Sequence, residues 1–212
     1  MVPAWRFACA VFAATAMACT TSPATAPQQA DSARIVVLGD SLTAGPGLRA
    51  DETMPARLQE LVRAAGLPEI VVNAGVSGDT TADAVARLDR ALVTGTTVLV
   101  VALGANDGLR GVPIATIRRN LETIIQHARS RQLKVLLCGM ETLPNPGFEY
   151  ALEFHRIFPD LAQQYNVPLM PFLLVDVVGR PELNRPDGWH PNAAGARIIA
   201  TNMWPYLEPL LR

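Results

Sequence analysis

Charge is scarce in this sequence and neither sign prevails: Lys and Arg number 18, Asp and Glu 19, and the formal net charge is -1. Such a chain offers no electrostatic footprint for a phosphate backbone, which argues against nucleic acid as a partner. Histidine and cysteine are scarcer still, at three each. His127 and His155 fall in stretches of helical pattern, no H-E-x-x-H is present and the cysteines do not cluster, so no metal centre is expected. Beyond the N-terminal segment the chain has one cysteine, Cys138 in "KVLLCGM". A lone cysteine closes no intramolecular disulfide, and its apolar neighbours make it a small buried hydrophobe. The glycine-rich "NAGVSGDT" matches neither G-x-G-x-x-G nor a P-loop, and no cofactor is expected.

No long hydrophobic run opens the chain either. After Arg6 an apolar stretch extends from Phe7 to Met17, long enough for the core of an export signal and too short to span a bilayer. Its end reads in two ways. Ala16, Met17 and Ala18 form a small-x-small cleavage site, while "AMAC" resembles a bacterial lipobox in which Cys19 is acylated, although Ala16 stands where a leucine is usual. Residues 20–32, "TTSPATAPQQADS", hold nothing to bury and read as part of a flexible tether. The expected organisation is a signal at 1–18, a tether at 19–32 and one domain at 33–212, placing the mature protein in the bacterial envelope or outside it. A lipidated Cys19 would attach it to a membrane.

What the rest of the chain has is alternation. Apolar runs at 34–38, 69–73, 97–103, 134–138 and 167–173 are continuous, as in strands buried on both faces of a parallel sheet. Between them Ile114, Ile117, Leu121, Ile124, Ile125 and Ala128 step by three or four and define one face of a helix. Val85, Leu88 and Leu92 do the same in a single helix that Asp79 or Thr80 can cap. Weaker helical patterns occupy roughly 53–65, 149–165 and 192–211. Strands and helices in strict alternation predict a three-layer α/β sandwich on a five-stranded parallel sheet. Ligands of such folds sit beyond the carboxyl ends of the strands.

Four polar clusters lie there: "GDSLTAG" (39–45), "NAGVSGDT" (73–80), "LGANDGLRG" (103–111) and "RPDGWHPN" (185–192). Together they supply what acyl transfer needs. A serine hydroxyl becomes a nucleophile when an imidazole takes its proton and a carboxylate holds that imidazole in the right tautomer. Ser41, His190 and Asp187 can fill these roles, since a turn across Pro186 and Gly188 brings the carboxylate to the ring. The Ser41 amide, the Gly78 amide and the Asn106 carboxamide are available as donors to an oxyanion. Asp40 reads as a turn or cap residue, Asp107 as an Asx-type brace of its own loop, and Ser77 as a weaker competitor of Ser41. Residue 43 is threonine, so G-x-S-x-G is absent at Ser41 and the α/β-hydrolase elbow is excluded. Leu143, Pro144 and Phe148 after the fourth strand, with Leu109 and Val112 after the third, are candidate walls of an acyl pocket.

The blocks "GDSL", "GVSGDT", "GANDG" and "DGWHPN", in this order, resemble those of the SGNH hydrolases, also called GDSL esterases, over essentially all of 33–212. The text between them is similar to the bacterial thioesterase, arylesterase and lysophospholipase group. The resemblance implies a flavodoxin-like strand order 2-1-3-4-5, a Ser41–Asp187–His190 triad, oxyanion donors at Ser41, Gly78 and Asn106, and a small acyl ester as substrate. Trp189 departs from the group, which has a smaller aliphatic residue there, and is expected to alter the pocket mouth. A polysaccharide deacetylase of the same fold and a non-catalytic envelope binding module are the alternatives.

Overall fold

The β-branched and leucine-rich runs form the strands of a parallel sheet in the computed structural model, which describes residues 1–2, 33–142 and 147–212. The export signal, the tether and Cys19, with Leu143 and Pro144, lie outside the described residues. The fold is that of the unit Asp31–Arg212. Strands β1 (Arg34–Gly39), β2 (Ile70–Gly75), β3 (Thr96–Ala102), β4 (Lys134–Cys138) and β5 (Leu169–Met170) line up in the order 2-1-3-4-5. In β1 and β3, Ile35–Leu38 and Val98–Ala102 are almost wholly buried. At about 25 cal/mol per Å² of apolar surface removed from water, these two central strands anchor the core.

Helices cover the sheet. α1 (Ser41–Ala44) is one turn; α2 (Met54–Ala64) packs on α8 (Ala193–Leu207), and α3 (Thr81–Ala86), α6 (Ile114–Ser130) and α7 (Phe148–Tyr165) form a second set. Between them come α4 (Leu88–Ala91) and α5 (Ala105–Leu109). The periodic face of α6 is the buried one, at Ile117, Leu121, Ile124, Ile125 and Ala128. Thr80 caps α3 in a reciprocal box with Asp83.

The sheet register positions the site. Gly39 is level with Gly75 on one side and Ala102 on the other, so β1, β2 and β3 release their loops at the same height. Glycine is required at 39 by close approach: a Cβ there would overlap the Thr43 hydroxyl and crowd the Ala102 carbonyl.

Four local expectations need correction. The fifth strand, expected over 167–173, is confined to Leu169–Met170, because Pro168 and Pro171 have no N–H to give the ladder. The second strand is a partly exposed edge rather than a doubly buried strand, with Ile70 and Asn73 open to solvent. The helix expected through Val85, Leu88 and Leu92 breaks at Arg87, whose φ of -112° leaves the helical range. The "ANDGL" loop is the short helix α5. Cys138 is fully buried, and desolvation pushes its thiol up to about 12, which keeps it protonated and inert.

Candidate active site

Ser41 is the first residue of α1, two residues beyond the end of β1. Asp40 caps this turn: its Oδ1 accepts the Leu42 amide at 2.9 Å. The Ser41 amide is left without an acceptor among the described residues, as is usual for the first N–H of a helix. Gly78 stands at φ +86°, in the left-handed region, and its amide likewise has no acceptor among the described residues.

Asn106 lies in the first turn of α5. Its Nδ2 donates to the Asp79 carbonyl at 2.9 Å and makes a longer contact of 3.4 Å with Asp40 Oδ2. One of its two N–H bonds is therefore well used and the other weakly. Two orphan amides and one under-used carboxamide stand on three loops released at one height.

The fourth loop brings the imidazole. His190 Nε2 lies 3.0 Å from Ser41 Oγ, and His190 Nδ1 lies 3.1 Å from Asp187 Oδ2. The other oxygen of Asp187 accepts the backbone amides of His190 and Trp189, both at 2.9 Å. Those two bonds hold its carboxyl down to about 2, so it is anionic at neutral pH. The turn closes through Gly188 at φ +75°, whose N–H donates to the Arg185 carbonyl, while the Arg185 amide donates to the His190 carbonyl at 2.7 Å. The Arg185 guanidinium reaches the Pro46 carbonyl at 2.7 Å, which ties this loop to the one carrying Ser41. Asn192 then caps α8 through the amides of Ala194 and Gly195.

Beneath the site the groups are buried. Asp40 is inaccessible to solvent, and desolvation raises its carboxyl to about 6 against the Leu42 bond and the nearby His190, which lower it. Asp107 is also inaccessible; the Thr81 amide and hydroxyl donate to its two oxygens at 2.8 and 2.7 Å, and desolvation raises its carboxyl. It therefore braces α5 against α3 rather than its own loop, which corrects the Asx expectation. Asp79, its neighbour Gly78 and Arg87 are joined as well. Arg87 Nε donates to Asp79 Oδ2 at 2.5 Å, and Arg110 Nη2 donates to the Gly78 carbonyl at 3.0 Å. Neither arginine carries a signal in the sequence, where each is one of the charged residues that decorate helices.

Ser77 is exposed on its loop, and the imidazole faces Ser41. Of the candidate pocket residues, Leu109 and Phe148 are exposed and Val112 is half-buried. The Tyr150 hydroxyl donates to the Val112 carbonyl at 2.7 Å and so fastens the start of α7 to that segment. Trp189 is also exposed, next to His190. No group of three or more His, Cys, Asp or Glu suited to a metal ion occurs among the described residues. No helix among the described residues is long and apolar enough to cross a membrane.

The chain is similar to several known proteins. The profile of the GDSL-like lipase/acylhydrolase family matches residues 37–198. The chain is similar to Esterase TesA of Pseudomonas aeruginosa, 40% identical over 185 residues covering 87% of this chain and 92% of that one. It is similar to Thioesterase 1/protease 1/lysophospholipase L1 of Escherichia coli K12, 36% identical over 178 residues covering 84% of each. The psychrotrophic esterase EstA of Pseudoalteromonas sp., solved with monoethylphosphonate as inhibitor, superposes with a TM-score of 0.79 at 31% identity over 84% of this chain and 98% of that one.

Proposed function

Because the chain belongs to the GDSL-like lipase/acylhydrolase family and is a serine esterase, we propose that it cleaves aryl and short-to-medium acyl esters through an acyl-enzyme on Ser41. The observation that carries the residue assignment is the unbroken relay from Asp187 to His190 to Ser41, at 3.1 and 3.0 Å.

In this reading His190 Nε2 takes the Ser41 proton as Oγ bonds to the acyl carbon, and the carbonyl π electrons move to oxygen. The amides of Ser41 and Gly78 and the Asn106 carboxamide donate to that oxyanion. The imidazolium, held by anionic Asp187, passes its proton to the departing alcohol as the ester C–O bond breaks. Water, deprotonated by the same imidazole, then releases the acid and restores Ser41. Each oxyanion donor contributes about 3 kcal/mol of barrier lowering.

The acyl chain lies along Leu109, Val112 and Phe148. Trp189 borders the leaving-group side, because it adjoins the imidazole that protonates the alcohol. Thioesters and lysophospholipids present the same carbonyl to the same donors and are further substrates. Residues 1–18 act as an export signal and 19–32 as the tether. The intact mass of the mature envelope protein distinguishes an acylated Cys19 from a plain one.

The test is Ser41→Ala assayed on p-nitrophenyl esters from acetyl to octanoyl. The rate falls by about 10⁶, as for removal of a triad nucleophile, with an unchanged melting temperature. In the intact enzyme an organophosphonate labels Ser41, as located by mass spectrometry. An active Ser41→Ala protein would falsify the assignment.

A further inference from the structure

The three oxyanion donors sit on three separate loops, and a site of this kind loses about 100-fold in rate for misplacements on the order of 1 Å. Something must hold those loops in mutual register. One side chain touches the supports of all three. Arg87 Nε donates to Asp79 Oδ2 at 2.5 Å, and its Nη2 donates to the Gly39 carbonyl at 3.1 Å. Gly39 ends β1 two residues before Ser41, and its carbonyl also accepts the Val76 amide at 3.0 Å. Asp79 follows Gly78 directly, and its carbonyl accepts Asn106 Nδ2 at 2.9 Å.

We propose that Arg87 is the positioning residue of the oxyanion site, a single guanidinium that sets the Ser41 amide, the Gly78 amide and the Asn106 carboxamide relative to one another. The proposal rests on the assignment of those donors above and adds a residue that touches none of the reacting atoms.

Three features support a positioning role over a decorative ion pair. The Arg87 and Asp79 side chains are only 14% and 10% exposed, so solvent does not replace their bond, as it does at the surface. Arg87 is also where the helix between Thr81 and Ala91 breaks, with no glycine or proline to cause it. Finally, the two acceptors belong to different elements, and the planar guanidinium offers donors at fixed angles to both. A lysine ammonium is a point charge on a flexible stem and holds no such angle. Asp79 neutralises the guanidinium locally, so Arg87 acts through the placement of the donors and not as a charge on the oxyanion.

The experiment compares Arg87→Met and Arg87→Lys with the intact enzyme on p-nitrophenyl butyrate. Rates are expressed per active site after exhaustive titration with a p-nitrophenyl phosphonate. Expected is a fall of about 10- to 100-fold in kcat for Arg87→Met with KM within about twofold, and a partial recovery in Arg87→Lys. Inhibition by a trifluoromethyl ketone, whose adduct on Ser41 carries the oxyanion, weakens by the same factor as kcat/KM, which a loss of global stability does not produce. If Arg87→Met does not fold, Arg87→Lys decides by the same two measurements. An Arg87→Met variant (or Arg87→Lys, where Arg87→Met does not fold) with kcat per labelled site within about threefold of the parent, or with a changed kcat and unchanged ketone affinity, overturns the proposal. Failure of the phosphonate to label Ser41 in the parent enzyme would instead overturn the assignment of the site.

Discussion

The two sides of Ser41 are built differently. On one side, Asp40, Asp79, Asp107 and Thr81 are buried, and each is bonded into the frame that carries Gly78 and Asn106. On the other, Asp187 and Trp189 are exposed and His190 is half-buried, on a turn closed by its own backbone and fastened to the nucleophile loop by Arg185. Under the proposed mechanism the difference follows from what each side must do. Oxyanion donors act by being in place before charge develops, so they gain from a stiff, desolvated frame. The imidazole must gain and lose a proton in every cycle and let alcohol and water past, which an open turn permits.

The contrast implies that damage on the exposed side removes activity and spares stability. Asp187→Asn is the sharpest case. The amide oxygen still accepts the Trp189 and His190 N–H groups, so the turn survives, but the NH2 now faces His190 Nδ1 and moves the ring proton to Nε2. That tautomer cannot take the Ser41 proton, and kcat falls by about 10⁴ with the melting temperature unchanged. In the parent enzyme Asp187 stays ionised down to about pH 2, so it adds no inflection to the acid limb of the rate profile. A second acidic inflection from Asp187, or an Asp187→Asn protein that melts far below its parent, would blur the division between the two sides.

Damage on the buried side costs both. In Asp107→Ala the Thr81 amide and hydroxyl lose their acceptor in a place without solvent, at about 1–3 kcal/mol each. The expected loss is about 4 kcal/mol in urea unfolding. Since α5 loses its brace to α3, kcat falls as well, by about tenfold. Unaltered stability would mean that the frame has another support.

The same division marks what the sequence made legible. Strands β1 to β4 fall within two residues of the apolar runs, and the buried face of α6 is the periodic one, because burial of a regular element writes a period into the chain. The four polar clusters and the strand order were also readable, through the spacing of chemistry at strand ends and the family resemblance. The frame beneath the donors was not. Asp107 meets Thr81 across 26 residues and Arg87 meets Gly39 across 48, and such ties have no period. Nor did the run at 167–173 disclose that its prolines leave only a two-residue strand.

Asp40 tests the comparison at its boundary, since it caps the nucleophile's turn yet belongs to the buried frame. Its carboxyl titrates near 6 in the folded chain and near 3.8 when exposed. Below about pH 3 both forms are protonated and burial costs no charge. As the pH rises toward 6 the unfolded chain ionises first, so folding is progressively disfavoured, by up to about 3 kcal/mol above pH 6. Asp40→Asn keeps a side-chain oxygen for the Leu42 amide, and asparagine caps as well as aspartate, but it carries no charge to desolvate. The variant should therefore match its parent in urea unfolding at about pH 3 and exceed it at pH 7, with the gap opening between the two. A gap that is constant with pH would show that Asp40 ionises in the fold without cost, and that the buried side is wetter around the nucleophile than around Asp107.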